Sequence, residues 1–212
     1  TLEAAAALLA RGADLSDLSA LIFGRLPLPG LRLIGRAIER LTVEGPFALT
    51  WLNEADLSDL GARPGDGKEA KNIAFIQCAG SRDENHLRHC SRICCMASLK
   101  QTQYVREAYG ETGKSTIYYI DIRAIDRFED FYQMVQKDAT VSFVKSKVAK
   151  IVENQENGNP VLHGVNTEGY HRYATEHDLV VLAVGMEPEI TGVKLPDDII
   201  LDSSNFIEGS RD

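Results

Sequence analysis

Residues 73–100 read IAFIQCAGSRDENHLRHCSRICCMASLK and contain all four cysteines of the chain, Cys78, Cys90, Cys94 and Cys95. Their spacing is C-x11-C-x3-C-C. An apolar run, Ile73 to Ile76, leads into the first cysteine. A Gly-Ser turn and a charged loop follow, and a helical pattern begins among the other three cysteines. Four thiols in one strand–loop–helix unit are the right number for one tetrahedral zinc or one iron–sulfur cluster.

A helix starting near Ser91 places Cys90 at its N-cap and Cys94 four positions on, over the same face. Cys95 is turned about 100° further round, and the helix N-terminus adds partial positive charge that favours thiolates. Cys78 arrives from the C-terminal end of the preceding strand, where open α/β sheets hold their ligands. Arg82, His86, Arg88, His89 and Arg92 surround the thiols and offset the charge of a ligated group. Two plainer readings stand beside this one. Cys78 and Cys95 suit small buried core positions, and a disulfide is the other alternative.

Outward from this stretch the pattern alternates. Asn72 to Gln77 reads as a strand. Ser91 to Tyr109 reads as a helix with Ile93, Met96, Ala97, Val105 and Ala108 on its apolar side, ended by Gly110. Ser115 to Ile122 is a second strand. Asp126 to Lys137 is a second helix, with Phe128, Phe131, Tyr132 and Val135 facing the core. Val141 to Val152 is a long third strand. The turn signal Asn157 to Pro160 reverses the chain into Val161 to Asn166, and a turn near Gly169 leads to Tyr170 to Thr175. Leu179 to Val184 is a continuous apolar run, the pattern of a strand buried on both faces. The expected fold is therefore α/β, a three-layer nucleotide-binding-type sheet with a β-meander, preceded by a small helical segment.

Residues 1–61 read as helical, with helices over 2–11, 14–22 and 31–41, and with Phe47 to Leu52 open between strand and helix. The hexapeptide ADLSDL occurs at residues 13–18 and 55–60, which we read as one helix-cap solution used twice. Gly61 to Ala70, dense in Gly, Pro and charge, reads as a linker. Three parts follow: a helical insert or docking segment over 1–61, the α/β domain over 62–190, and a tail over 191–212. The chain begins without Met and ends at Ser-Arg-Asp, so a piece of a longer polypeptide is expected.

At 212 residues the chain is long enough for a proper core. Its net charge of −8 argues against nonspecific nucleic-acid binding, which needs a basic surface. No apolar run reaches the roughly eighteen residues of a membrane span and no signal peptide is visible, so no direct membrane insertion and a cytoplasmic location are expected. Clustered cysteines in such a chain are more often ligands or redox groups than bridges.

A dinucleotide-binding fold places G-x-G-x-x-G at its first strand–helix turn. Here that turn holds Gly80 alone, followed by the cysteine loop, so a metal-cluster site stands in place of the phosphate site and NAD binding is not expected. Asp121, in the position of a ribose-binding acid, reads as a turn or cap residue. The histidines His163, His171 and His177 read as surface strand residues.

The segment QCAGSRDENHLRHCSRICCMASLK resembles the A-type subunits of the heterodisulfide reductase family, a group of flavoproteins that includes those of the quinone-interacting membrane-bound oxidoreductase of sulfate reducers. Arg63 to Lys68 (RPGDGK) and Tyr118 to Ala124 (YYIDIRA) match it as well, and the resemblance covers about residues 62–190. It implies a thioredoxin-reductase-like second domain with Cys78, Cys90, Cys94 and Cys95 as ligands of a [4Fe–4S] cluster. It also implies FAD in the parent protein, with the tail leading toward a flavin domain. Asp178 to Pro188 (DLVVLAVGMEP) is similar to the A-T-G-x-x-P element of flavin disulfide reductases. That similarity implies FAD contact at Gly185 and Pro188, although Val184 stands where the family has Thr. The implied function is an electron-transfer module within an oxidoreductase of sulfate-reduction type, working with other subunits of a membrane-associated complex. A zinc-stabilised α/β interaction domain is the alternative, and a dithiol redox protein using Cys94 or Cys95 is a third reading.

Overall fold

The computed structural model describes residues 41–45, 47, 62–190 and 193–209. The helices expected over 2–22 and most of 31–41, and both ADLSDL segments, lie outside these residues. Nine elements position the site. They are β1 (Val43–Glu44), β2 (Asn72–Ile76), α1 (Cys94–Tyr109), β3 (Lys114–Tyr119), α2 (Glu129–Gln136), β4 (Val141–Glu153), β5 (Pro160–Asn166), β6 (His171–Glu176) and β7 (Leu179–Leu182). The strands form one sheet in the order β6-β5-β4-β3-β2-β7, with β1 beside the end of β4. Strands β7, β2, β3 and the first half of β4 run parallel, as β-α-β crossovers require. The second half of β4 continues as an antiparallel meander with β5 and β6. This is the α/β sheet with a meander that the alternating patterns predict.

Period-two alternation splits the strands between two cores. Ile73, Phe75 and Ile117 pack with Leu99, Val105 and Val135 under the helices. Ala74, Ile76 and Tyr118 pack with Val148, Ile151 and Leu162 on the opposite face. Val148 and Ile151 are an odd number of residues apart, yet both are buried in that second core. The register slips by one between Val148 and Lys150, and this bulge keeps both on one face. β1 was not foreseen; Val43 and Glu44 pair in parallel with Ile151 and Val152.

Several local readings are corrected. α1 begins at Cys94, not near Ser91, because Arg92 holds φ +64°, a left-handed conformation that no α-helix tolerates. Its buried face runs through Cys95, Ser98, Leu99, Thr102 and Val105, whereas Ile93 and Ala108 are exposed. α2 buries Val135 and half-buries Phe131 and Tyr132, but Phe128, in the 3-10 turn before it, is exposed. β7 is half-buried along its length rather than buried on both faces. It lies outermost beside β2, so one flank lacks a strand partner among the described residues. Gly110 does end α1, at φ +57°.

The segment read as a linker is a structured turn. Ala62 bridges Glu69, and the amide of Gly67 donates to the Arg63 carbonyl at 2.9 Å. The Arg63 guanidinium reaches across to Asn159 Oδ1 and to the Gly158 carbonyl, and it pairs with Asp66 at 3.2 Å. The loop is thereby clamped to the β4–β5 turn.

Candidate metal centre

The site lies at the C-terminal ends of the parallel strands β2, β3 and β7, the usual place for ligands in an open α/β sheet. Cys78 follows β2 directly. The backbone amide of Gln77 still donates to the Tyr118 carbonyl at 2.9 Å, and Cys78 then turns at φ +56°. Arg82, at φ +54°, is also left-handed. Non-glycine residues reach such angles only where their surroundings hold them.

The loop from Cys78 to Cys90 folds on itself. The Leu87 amide donates to the Gly80 carbonyl at 3.2 Å, and the Arg82 amide to the His89 carbonyl at 3.3 Å. Leu87, the one large aliphatic side chain of the loop, is 7% exposed and anchors it in the core on the β4 side. Asp83 pairs with Lys147 of β4 at 3.1 Å. From the other side Gly185 closes on the loop. Its φ is +103°, and a Cβ there would sit 3.1 Å from Ser81 Cβ and 3.3 Å from Leu87 Cδ1. The His89 Nε2–H donates to the Met186 carbonyl at 2.7 Å, and Phe206 of the tail packs edge-on to the His89 ring at 4.7 Å.

The four thiols are free, and each of Cys78, Cys94 and Cys95 feels the charge of Cys90. Two of the sulfurs also have an N–H neighbour. The Arg82 guanidinium lies 4.0 Å from Cys78 Sγ, and the Arg92 amide donates to Cys90 Sγ at 3.4 Å. The backbone at Gly185 acts to lower the Cys94 pKa and that at Arg123 to lower the Cys95 pKa, while the Cys95 thiol faces the Asp121 carbonyl at 3.9 Å. Ser91 Oγ adds a contact to Cys94 Sγ at 2.6 Å. Burial nonetheless pushes Cys78, Cys94 and Cys95 upward, the last to about 11, against the donors that pull the other way. Buried thiols of this kind stay protonated unless a metal ionises them.

Asp121, read from sequence as a turn or cap residue, is a charge partner instead. Its carboxylate accepts from Arg82 at 2.5 Å and from Arg123 at 3.4 Å. Burial acts to raise its pKa, but the two guanidinium groups prevail and lower it. Among the residues flanking the cysteines in sequence, Arg82 and His89 are tied into the site, while the Arg88 and Arg92 side chains are exposed. Ser91 and the backbone at Gly185 and Arg123 were missed, because only the folded chain lets the last two act on the cysteines.

Among the described residues, no three His, Cys, Asp or Glu side chains converge closely enough to hold one metal ion. A single tetrahedral zinc needs sulfurs about 3.8 Å apart, given Zn–S bonds of about 2.3 Å. A multi-iron cluster gives each thiolate its own iron and spreads the four sulfurs. Some unpartnered polar atoms flank the cysteines in sequence. Among the described residues, the buried side-chain atoms without a hydrogen-bond partner are both amide atoms of Gln77, Nδ1 of His89 and Oδ2 of Asp138. Gln77 and His89 immediately precede Cys78 and Cys90. The donor set and these orphaned groups fit a sulfur-ligated cluster.

The histidine reading is corrected at one position. His177 is 1% exposed; its Nδ1–H donates to Asn72 Oδ1 at 3.0 Å, and its Nε2 accepts from the Tyr118 hydroxyl at 2.9 Å. Its ring sits between β6 and β7, away from the cysteines, and is a satisfied core group.

Fold and site together define an α/β nucleotide-binding-type domain with a cysteine loop at its first strand–helix turn. No protein-family model matches the chain. It is 44% identical over 128 residues to the second A-type iron–sulfur subunit of the CoB–CoM heterodisulfide reductase of Methanopyrus kandleri, covering 59% of this chain and 19% of that one. It is 45% identical over 127 residues to the A-type subunit of the ferredoxin/F420H2-dependent CoB–CoM heterodisulfide reductase of Methanosarcina acetivorans, covering 59% and 16%. The chain thus spans a fifth or less of the length of these curated relatives. Its backbone superposes on thioredoxin reductase of Lactococcus lactis with a TM-score of 0.48 at 14% identity, over 82% of this chain and 46% of that one. No described helix is long and apolar enough to cross a membrane.

Proposed function

We propose that this chain is the electron-transfer part of a heterodisulfide reductase A-type subunit, with Cys78, Cys90, Cys94 and Cys95 holding one [4Fe–4S] cluster. The observation that carries the reading is that Cys78, at the C-terminal end of the sheet, interacts electrostatically with Cys94 and Cys95 of the first turn of α1, with the Arg82 guanidinium beside Cys78 Sγ and the Arg92 amide donating to Cys90 Sγ. The Methanopyrus relative is an iron–sulfur subunit, which supports the reading. When bound, such a cluster accepts and releases single electrons. The protein's own part is to hold four thiolates, exclude water and set the potential. Leu87 and Gly185 pack together on the cysteine loop, while the backbone at Gly185 and Arg123 favours the charged state of Cys94 and Cys95. Arg82, held by Asp121, places a fixed positive charge beside Cys78.

The electrons come from or go to a flavin in the parent polypeptide, with FAD contact at Gly185 and Pro188, and carriers in partner subunits complete the path. In this chain Gly185 is packed against Ser81 and Leu87, so its share in FAD binding is a backbone one. The finer reading, a quinone-interacting relative of sulfate reducers associated with a membrane through its partners, rests on the sequence motif.

The test is iron and acid-labile sulfide content of protein purified without oxygen, with an EPR spectrum after dithionite reduction. About four irons and four sulfides per chain are expected for such a cluster, with the signal abolished by Cys94→Ala. One zinc and no sulfide would sink the reading in favour of a structural zinc domain.

A further inference from the structure

We infer that the side-chain amide of Gln77 donates a hydrogen bond to a sulfur of the cluster held by the four cysteines and raises its reduction potential. The inference rests on the electron-transfer reading above. Gln77 is 3% exposed, and neither its Nε2 nor its Oε1 has a partner. Buried amides without partners are costly and scarce in folded proteins. Gln77 follows directly on β2, whose residues are Asn, Ile, Ala, Phe and Ile, so an aliphatic side chain would serve the fold better at that place.

The amide has little freedom to find another partner. The Gln77 backbone is fixed by its bond to the Tyr118 carbonyl, and the left-handed turn at Cys78 follows at once. Ile73 and Phe75 belong to the core under the helices, and Ala74 and Ile76 to the opposite core. Continued one residue past β2, that alternation puts Gln77 on the side of the sheet that α1 covers, and α1 opens there with its first turn. That turn carries Cys94 and Cys95, and Cys95 is on its buried face. A half-rotation of the amide exchanges its oxygen and nitrogen, so the N–H pair can occupy either position. A neutral donor to cluster sulfur favours the more negative, reduced state and raises the potential.

The experiment uses the full chain, loaded by iron–sulfide reconstitution, with Gln77→Leu and Gln77→Glu beside the parent. An EPR-monitored redox titration reads the midpoint, and thermal melting is recorded for the cluster-free forms. Gln77→Leu should load like the parent and have a lower midpoint. At the parent's midpoint its reduced-to-oxidised ratio should fall about tenfold, about 59 mV for a one-electron couple. Gln77→Glu should shift further in the same direction, because it keeps the shape but adds a negative charge. Cluster-free Gln77→Leu should melt at or above the parent, since two unpartnered polar atoms are gone. If Gln77→Leu fails to load while its cluster-free melting is unchanged, the side chain serves assembly rather than the potential, which overturns the inference. An unchanged midpoint at full loading, or a lowered melting temperature of the cluster-free variant, overturns the inference but leaves the electron-transfer reading standing. A parent chain that takes up no iron and sulfide overturns both.

Discussion

The hydroxyl of Tyr118, on β3, donates to Nε2 of His177, beyond the end of β6, at 2.9 Å. The two residues are far apart in sequence and meet only because β7 returns to pair with β2. The chain of bonds continues from His177 Nδ1–H to Asn72 Oδ1 and from Asn72 Nδ2–H to the Glu176 carbonyl. Both ring nitrogens are therefore satisfied in the neutral form, and a second proton would leave Tyr118 facing a donor.

Stability should consequently depend on the charge of His177. Burial lowers its pKa to about 4 from 6.5, against the nearby charges of Asp178 and Glu176. The unfolded chain then binds the extra proton first as pH falls. The contribution is fully present above pH 6.5 and lost progressively as pH falls to about 4. Its size is on the order of 3 kcal/mol. Urea denaturation between pH 4 and 7 measures it, and His177→Phe should flatten that part of the curve.

Removing the Tyr118 hydroxyl should leave a buried acceptor without its donor. Tyr118→Phe is expected to cost about 1–3 kcal/mol by urea denaturation at neutral pH. The stacking of ring 118 on Tyr173, at 5.5 Å between centroids, is retained in this variant. The loss therefore reports the hydrogen bond.

Leu99 anchors α1 to the sheet. It is fully buried among Ile73, Phe75 and Val105, and the same helix carries Cys94 and Cys95. Leu99→Ala should destabilise the fold by roughly 2–5 kcal/mol, the usual range for a core cavity. Equilibrium denaturation of the cluster-free chain is the measurement.

Gly185 meets two demands that an alanine cannot. Its φ of +103° is outside the range of L side chains, and a Cβ would press on Ser81 and Leu87. Gly185→Ala should cost roughly 1–3 kcal/mol and loosen the cysteine loop. Faster alkylation of Cys94 in the variant than in the parent checks the second effect.

Arg63 clamps the turn at 63–68 to the β4–β5 turn. Arg63→Ala should leave stability within about 1–2 kcal/mol of the parent, since its bonds are only partly buried. It should release the turn, however. Limited trypsin digestion should then cut after Lys68 sooner than in the parent.

Much of this architecture is written locally in the chain. The apolar run at Ile73 to Ile76 and the patterned stretch Val141 to Glu153 specify strands, and Gly110 stops α1, because these signals act over a few neighbouring residues. The cysteine spacing likewise puts four thiols in one strand–loop–helix unit before any long-range contact is known. Tertiary structure decided the rest. Arg92 is forced left-handed by the loop around it, which delays the helix to Cys94. His177 is buried only because β7 crosses back to β2, and β7 itself is half-buried because it lies outermost. Gly185 and Arg123 act on the electrostatics of Cys94 and Cys95 from segments remote in sequence, an effect that periodicity cannot encode. Local pattern sets which elements form; burial and the pairing of distant segments set what each polar group faces.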